Sequence, residues 1–99
     1  MTLLLRELDR ERLRGLMTQH LPGVIGRIYG SRVTGHAHDA SDLDLALMSP
    51  DLQPIPIDQL ERFRQAVNDS RIPILVDARD WARLPQHFHA EINKAFVDL

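Results

Sequence analysis

The amino-acid sequence predicts an α/β (α+β) domain in which helices pack against a small sheet of three strands. Three segments repeat apolar residues at helical spacing, and three shorter segments have the alternation or composition of strands. The two kinds of segment are interleaved along the chain. At 99 residues the chain has the length of one domain, so residues 1–99 are expected to share a single core.

The predicted helices come before, between and after the strands. The first covers residues 3–20, and the second ends near Asn68. The third begins near Pro85, a residue that the first turn of a helix tolerates, and its apolar face is marked by Phe88, Ile92 and Phe96. A short helical turn is also expected after Gly30.

The predicted strands are the segments "VIGRIYG", "SDLDLAL" and "IPILVDA". The first is rich in β-branched and aromatic residues, whereas the second alternates strictly between polar and apolar residues. Three prolines in "SPDLQPIPI" predict a loop between the second strand and the second long helix. The expected order of elements is therefore α-β-β-α-β-α.

Composition excludes several classes of function. The net charge of −2 argues against general nucleic-acid binding, which relies on clustered lysine and arginine. The absence of cysteine excludes disulfides and thiolate metal sites, and it is compatible with a cytoplasmic location. No apolar run approaches the ~20 residues of a membrane span, so no membrane association is expected.

The second strand carries an unusual pair of acidic residues. Since side chains alternate along a strand, Leu43, Leu45 and Leu47 point to one face, and Asp42 and Asp44 point to the other. Two carboxylates this close repel each other unless a proton or a cation joins them. Mg²⁺ prefers carboxylate oxygens and is often completed by substrate phosphates. The pair therefore predicts a metal site that binds a phosphate.

Residues elsewhere in the chain suit the same chemistry. Gly30 lets the backbone approach a ligand closely, the Ser31 hydroxyl suits phosphate oxygens, and Arg32 adds a bidentate positive charge. Asp77 interrupts the apolar run of the third strand and joins the acidic face if that strand lies beside the second. Three carboxylates, two metal ions and a triphosphate form a site for in-line phosphoryl or nucleotidyl transfer.

These motifs resemble the signature of the DNA polymerase β-like nucleotidyltransferase superfamily. Gly30 and Ser31 are followed, after ten residues, by Asp42-Leu43-Asp44. The segments "YGSR" and "SDLDLAL", and the tail "IPILVDARDWARLPQHFHAEI", are similar to its minimal nucleotidyltransferase (MNT) branch. The resemblance implies a mixed three-stranded sheet, two Mg²⁺ ions and transfer of a nucleoside monophosphate from a nucleoside triphosphate.

The resemblance also implies a role for each matched residue. Ser31 would contact the triphosphate, and Asp42 and Asp44 would bind the metals. Asp77 would bind the catalytic metal and help to deprotonate the acceptor hydroxyl. The chain departs from the family at Thr34, where many members have a second arginine, and in "HAH" after the next glycine.

The acceptor of the transferred group is expected on a partner or shared across an oligomer, since 99 residues leave no room for a second domain. In the MNT branch the usual partner is a helical HEPN toxin. The resemblance therefore implies an antitoxin that transfers AMP from ATP to a tyrosine of this toxin. Two alternatives remain: an antitoxin that neutralises its partner by binding alone, and a metal-dependent phosphohydrolase.

Structural interpretations of the same residues remain open as well. Asp42 and Asp44 could lie on the solvent face of an edge strand, and Gly30 with Ser31 could form a turn. Asp77 could cap a strand end. Asp80 is expected to be structural, and Trp81 is expected to cover the edge of the core. The histidine pairs His36 with His38 and His87 with His89 could bind zinc, but we expect them to be solvated.

Overall fold

The computed structural model describes residues 3–38 and 41–99. Helices and strands alternate in the predicted order, with one strand added at the end of the chain. The elements are α1 (Glu7–His20), β1 (Ile25–Tyr29), α2 (Ser31–Thr34), β2 (Leu43–Met48), α3 (Ile57–Asn68), β3 (Val76–Asp80), a 3₁₀ turn (Trp81–Arg83), α4 (Gln86–Lys94) and β4 (Phe96–Asp98).

The sheet is mixed, and its strands lie in the order β3-β2-β1-β4. The strand β1 runs antiparallel to β2 and to β4, whereas β2 and β3 are parallel. The prediction of a mixed sheet packed with helices is confirmed, but the count of three strands is wrong. The fourth strand forms because α4 ends at Lys94 and extended backbone at Ala95 leads Phe96 and Val97 onto the free edge of β1.

The boundaries of two elements also differ from those predicted. The first helix begins at Glu7, because residues 3–5 form a non-helical segment in which the Leu4 N–H donates to the Arg32 carbonyl at 2.8 Å. The strand β3 begins at Val76 and ends at Asp80, later than the apolar run "IPILVDA" indicated. The apolar run therefore located this strand but not its ends.

One face of the sheet forms the core. Leu43, Leu45 and Leu47 are completely buried, as the alternation predicted, and they join apolar side chains from α1 and α3. Burying an aliphatic side chain of this size contributes about 1.5–3 kcal/mol. Among the described residues, no helix is long and apolar enough to cross a membrane.

Asp80 is a structural carboxylate, as expected. It is 3% exposed, and it accepts hydrogen bonds from the backbone N–H groups of Ile55 at 2.8 Å and Ala82 at 3.1 Å. The Arg83 guanidinium also pairs with it. Asp80 therefore joins the loop before α3 to the end of β3.

Candidate active site

The parallel pairing of β2 with β3 brings the predicted carboxylates together. Asp44 lies directly opposite Asp77 in β3, and on its other side it lies opposite Tyr29 in β1. The interpretation in which Asp77 joins the face of Asp44 is therefore confirmed. Asp42 lies one residue before β2 on the same face and is exposed.

Gly30 lies against the Asp44 carboxylate. Its φ of +80° is a conformation that side-chain-bearing residues rarely adopt, and an added Cβ would lie 2.2 Å from Asp44 Oδ2. The residue must therefore be glycine for two reasons, conformation and space. Its carbonyl accepts from the backbone N–H groups of Val33 and Thr34, which turns the chain into α2 and places Ser31 at the start of that helix.

Electrostatic repulsion is present at this site. Burial raises the pKa of Asp44, and the neighbouring Asp77 and Asp42 carboxylates raise it further. Burial also raises the pKa of Tyr29 to about 12, with a second contribution from Asp44. Each shift has the sign expected when negative charge gathers in a partly dehydrated place. A bound cation would reverse this cost, so the donor set fits a hard divalent ion.

Asp77 already has a cationic neighbour. The Arg79 guanidinium contacts Asp77 Oδ2 through Nε and Nη2, both at 3.2 Å, and both side chains are well exposed. In residues 3–38 and 41–99, no three acidic or histidine side chains are grouped closely enough to hold a metal ion. The strands thus bring the carboxylates to one face, while the Asp77 side chain is directed to Arg79.

The sequence predicted that Arg32 binds the nucleotide, but in the structure its side chain is bonded to backbone carbonyls of the protein. It is 5% exposed, and its guanidinium donates to the carbonyls of Leu4 at 2.8 Å and Ser41 at 2.7 and 3.0 Å. The side chain therefore ties the non-helical N-terminal segment to the residue before the Asp42–Asp44 motif. This placement supports a role in holding the loop and disfavours contact with a nucleotide.

The histidines are not gathered into a site within the described residues. His36 contacts the Thr34 hydroxyl at 3.0 Å, and His89 stacks on Trp81 with ring centroids 3.9 Å apart. Residues 39 and 40, between "HAH" and the aspartates, lie outside the described part of the chain. The Trp81 stack leaves the indole half-buried beside α4.

Two residues on the acidic face were missed by sequence reasoning. Arg79 stands two positions after Asp77, and Tyr29 stands one position before Gly30. Period two along β3 would have placed Arg79 on the face of Asp77, because alternate side chains share a face. Tyr29 gave no such signal, because it lies beside Asp44 only through the register in which β1 pairs with β2. The local sequence does not specify that register.

No protein-family model matches the chain. Over 85 residues the chain is 36% identical to a protein of Haemophilus influenzae named probable protein adenylyltransferase MntA, and the match covers 86% of this chain and 73% of that protein. The chain belongs to the minimal nucleotidyltransferase family. In this MNT family member, the three aspartates, Gly30 and Ser31 all lie within the part of the chain that the structure describes.

A solved structure extends the fold comparison. The MNT chain superposes with a TM-score of 0.73 on a chain of a structure described as a toxin-antitoxin with AMP-PNP. The match covers 95% of this chain and 72% of the other, at 18% identity. At this identity the likeness shows a shared fold.

Proposed function

We propose that this protein is an antitoxin that transfers AMP from ATP to the hydroxyl group of a tyrosine in a HEPN-type toxin. The observation that carries the proposal is the register that sets Asp44 opposite Asp77, beside Gly30 and Ser31. The 36% identity to a probable protein adenylyltransferase supports AMP as the transferred group. The AMP-PNP in the structural neighbour, an ATP analogue, supports ATP as the donor.

The residues of the acidic face have distinct roles in this proposal. Asp42, Asp44 and Asp77 would hold two Mg²⁺ ions, which when bound supply charge neutralisation and lower the pKa of the attacking hydroxyl. Gly30 leaves room for the Asp44 carboxylate, and the Ser31 hydroxyl contacts the triphosphate. The function of Arg32 is to hold the segment before Asp42, by its bonds to backbone carbonyls.

The transfer itself is an in-line displacement at phosphorus. The acceptor oxygen forms a bond to the α-phosphorus of ATP, and the bond from that phosphorus to the β-phosphate bridging oxygen breaks. Pyrophosphate leaves with the electron pair of the broken bond. The proton of the acceptor hydroxyl passes to the Asp77 carboxylate and then to solvent. Alignment of the acceptor contributes much of the acceleration, since a fixed geometry replaces a bimolecular encounter.

The toxin is the proposed source of the acceptor. The toxin-antitoxin description of the structural neighbour supports a protein partner, and the MNT family supports a HEPN type for it. The cytoplasmic location stays a prediction, and so does the oligomeric state of the complex.

A second candidate function is neutralisation by binding alone. It is favoured by the Asp77–Arg79 pair, together with the absence of a group of three metal-ligating side chains among the described residues. In that case the protein would cover its partner, and the acidic face would take no part.

Labelling experiments separate these functions. Purified protein, Mg²⁺ and the partner toxin would be incubated in parallel with ATP labelled at the α- or the γ-phosphate. The proposal predicts that the α-label appears on the toxin and the γ-label in pyrophosphate. Neutralised toxin with no label would establish the binding-only function, and γ-label in free phosphate without modified toxin would indicate a hydrolase.

Thermal melting provides an independent measurement of binding. A ligand that binds only the folded state stabilises it by mass action. We expect Mg²⁺ and ATP together to raise the melting temperature more than either does alone. Stabilisation by Zn²⁺ alone that is lost in His36→Ala with His38→Ala would instead establish a histidine metal site.

A further inference from the structure

Arg79 lies beside the acidic site, where its guanidinium can bind either a carboxylate of the protein or a phosphate of a ligand. It lies opposite Ala46, two positions along the strands from the pair of Asp44 and Asp77. The two pairs are neighbours on the same face of the sheet. Its guanidinium folds back along β3, where Nε donates a hydrogen bond to Asp77 Oδ2 and Nη2 lies 3.2 Å from the same oxygen. The side chain is 48% exposed, so a ligand in the solvent can reach it.

The other arginines near this face are held by contacts within the protein. Arg27 lies across Ala46 from Arg79, but its guanidinium lies 3.8 Å from the centre of the Phe96 ring and bonds to Asn93 and Asp98. Arg32 is buried against backbone carbonyls. The position at which many MNT proteins have a second arginine holds Thr34.

We propose that Arg79 is a nucleotide-binding residue that exchanges Asp77 for the phosphates of the donor nucleotide. The inference rests on the proposed function, because it assigns Arg79 to the same site. If Asp77 held a metal ion, its bond to Arg79 would be given up, and the guanidinium would be available to the phosphates of a nucleotide bound at the same carboxylates. Arginine matches phosphate oxygens with two parallel N–H groups, as it matches a carboxylate.

This exchange makes Arg79 a competitor of the metal as well as a ligand of the phosphate. Without nucleotide, the guanidinium and a cation compete for the Asp77 carboxylate. With nucleotide, the guanidinium has a second anion to bind, and the competition ends. Arg79 therefore disfavours the binding of metal alone and favours the binding of metal with nucleotide.

Replacement of Arg79 tests the two effects separately. Calorimetry or Mn²⁺ electron paramagnetic resonance would measure the dissociation constants for Mn²⁺ alone and for Mn²⁺ with AMP-PNP. In Arg79→Gln we expect Mn²⁺ alone to bind about two- to fivefold more tightly, the scale of a lost exposed ion pair. Binding of AMP-PNP with Mn²⁺ should weaken about tenfold, the scale of one hydrogen bond to a charged group.

A combined variant shows whether the effect on metal passes through Asp77. In Asp77→Asn, adding Arg79→Gln should no longer strengthen Mn²⁺ binding, while the loss of nucleotide affinity should persist. Arg79→Lys keeps the charge without the planar fork and should recover part of the nucleotide affinity. Arg62→Gln is the matched control, because Arg62 pairs with Asp58 on the exposed surface of α3.

The outcomes distinguish a failure of this inference from a failure of the proposed function. If the parent protein binds AMP-PNP with Mn²⁺ and Arg79→Gln binds it equally well, the inference is wrong while the function stands. Equal weakening of Mn²⁺ alone and of Mn²⁺ with AMP-PNP would also overturn it, as the sign of a general structural effect. A parent protein that binds no nucleotide overturns both.

Discussion

The two faces of the sheet are built from the same strands but have opposite chemistry. On the face towards α1 and α3, Leu43, Leu45 and Leu47 are completely buried. On the other face, Asp44 and Asp77 lie side by side, and burial and their mutual repulsion raise the pKa of Asp44. The leucines of the first face stabilise the fold, whereas the repulsion among the aspartates of the second face lowers the stability.

The contrast with Asp80 shows that the acidic face is not an accident of strand chemistry. Asp80 lies three residues after Asp77 in the same strand, and it is satisfied by two backbone N–H groups and by Arg83. A carboxylate that serves this structure is thus bonded on all sides. On the acidic face, by contrast, Asp77 and Asp42 repel Asp44, and Asp77 pairs with the partly exposed Arg79. This arrangement favours a role in binding a cation.

Ranked by the expected change in the free energy of unfolding, the largest effect comes from the leucine face. Leu45→Ala should lower that free energy by about 3 kcal/mol, because it removes buried methyl groups and leaves a cavity. Urea denaturation would measure the change. Below the unfolding transition, the affinity for Mg²⁺ and ATP should match that of the parent. A change below about 1 kcal/mol would contradict the assignment of this face as the core.

The structural carboxylate should have the next largest effect. Asp80→Asn should lower the free energy of unfolding by about 2 kcal/mol, because an amide cannot replace a buried charge bonded to Arg83 and two N–H groups. The exposed Asp77, changed to Asn, serves as the control in the same denaturation experiment and should cost less than about 1 kcal/mol. Equal losses for the two variants would remove the distinction between them.

The acidic pair should have the opposite sign. Asp42→Asn with Asp44→Asn should leave the free energy of unfolding equal to that of the parent, or higher by up to about 1 kcal/mol, because it removes repulsion that solvent partly screens. Transfer of AMP should be abolished. Asp58→Asn with Asp69→Asn changes the charge equally on the surface of α3 and should keep activity. A double variant that fails to fold would show that the aspartates are structural.

The smallest effect is a dependence on pH. Since folding raises the pKa of Asp44, the folded state binds more protons than the unfolded state just above the ordinary carboxyl pKa of about 4. The contribution of Asp44 to stability therefore falls as pH rises through that window. The difference in stability between Asp44→Asn and the parent should grow as the pH rises from about 4 to about 7. If thermal melting showed the same difference in stability between the two proteins at every pH in this range, the raised pKa of Asp44 would be contradicted.

The sequence predicted the acidic face because two short-range rules apply to it. Alternation fixes which side of β2 carries Asp44, and a carboxylate inside an apolar run identifies Asp77. Long-range features were missed. The strand β4 depends on a free edge of β1, and the burial of Arg32 depends on the carbonyl of Leu4, 28 residues away. Pairing of this kind leaves no local pattern in the chain.

Single-turnover transfer by Asp77→Asn tests the central claim most directly. Asp42 and Asp44 can anchor a metal ion without Asp77, so equilibrium binding of ATP with Mg²⁺ should remain close to that of the parent. The rate of AMP transfer to the partner should fall about a hundredfold or more, the scale of losing a positioned catalytic group. A variant that binds ATP and transfers AMP at the parent rate would exclude Asp77 from the site, and with it most of the case that the acidic face is catalytic.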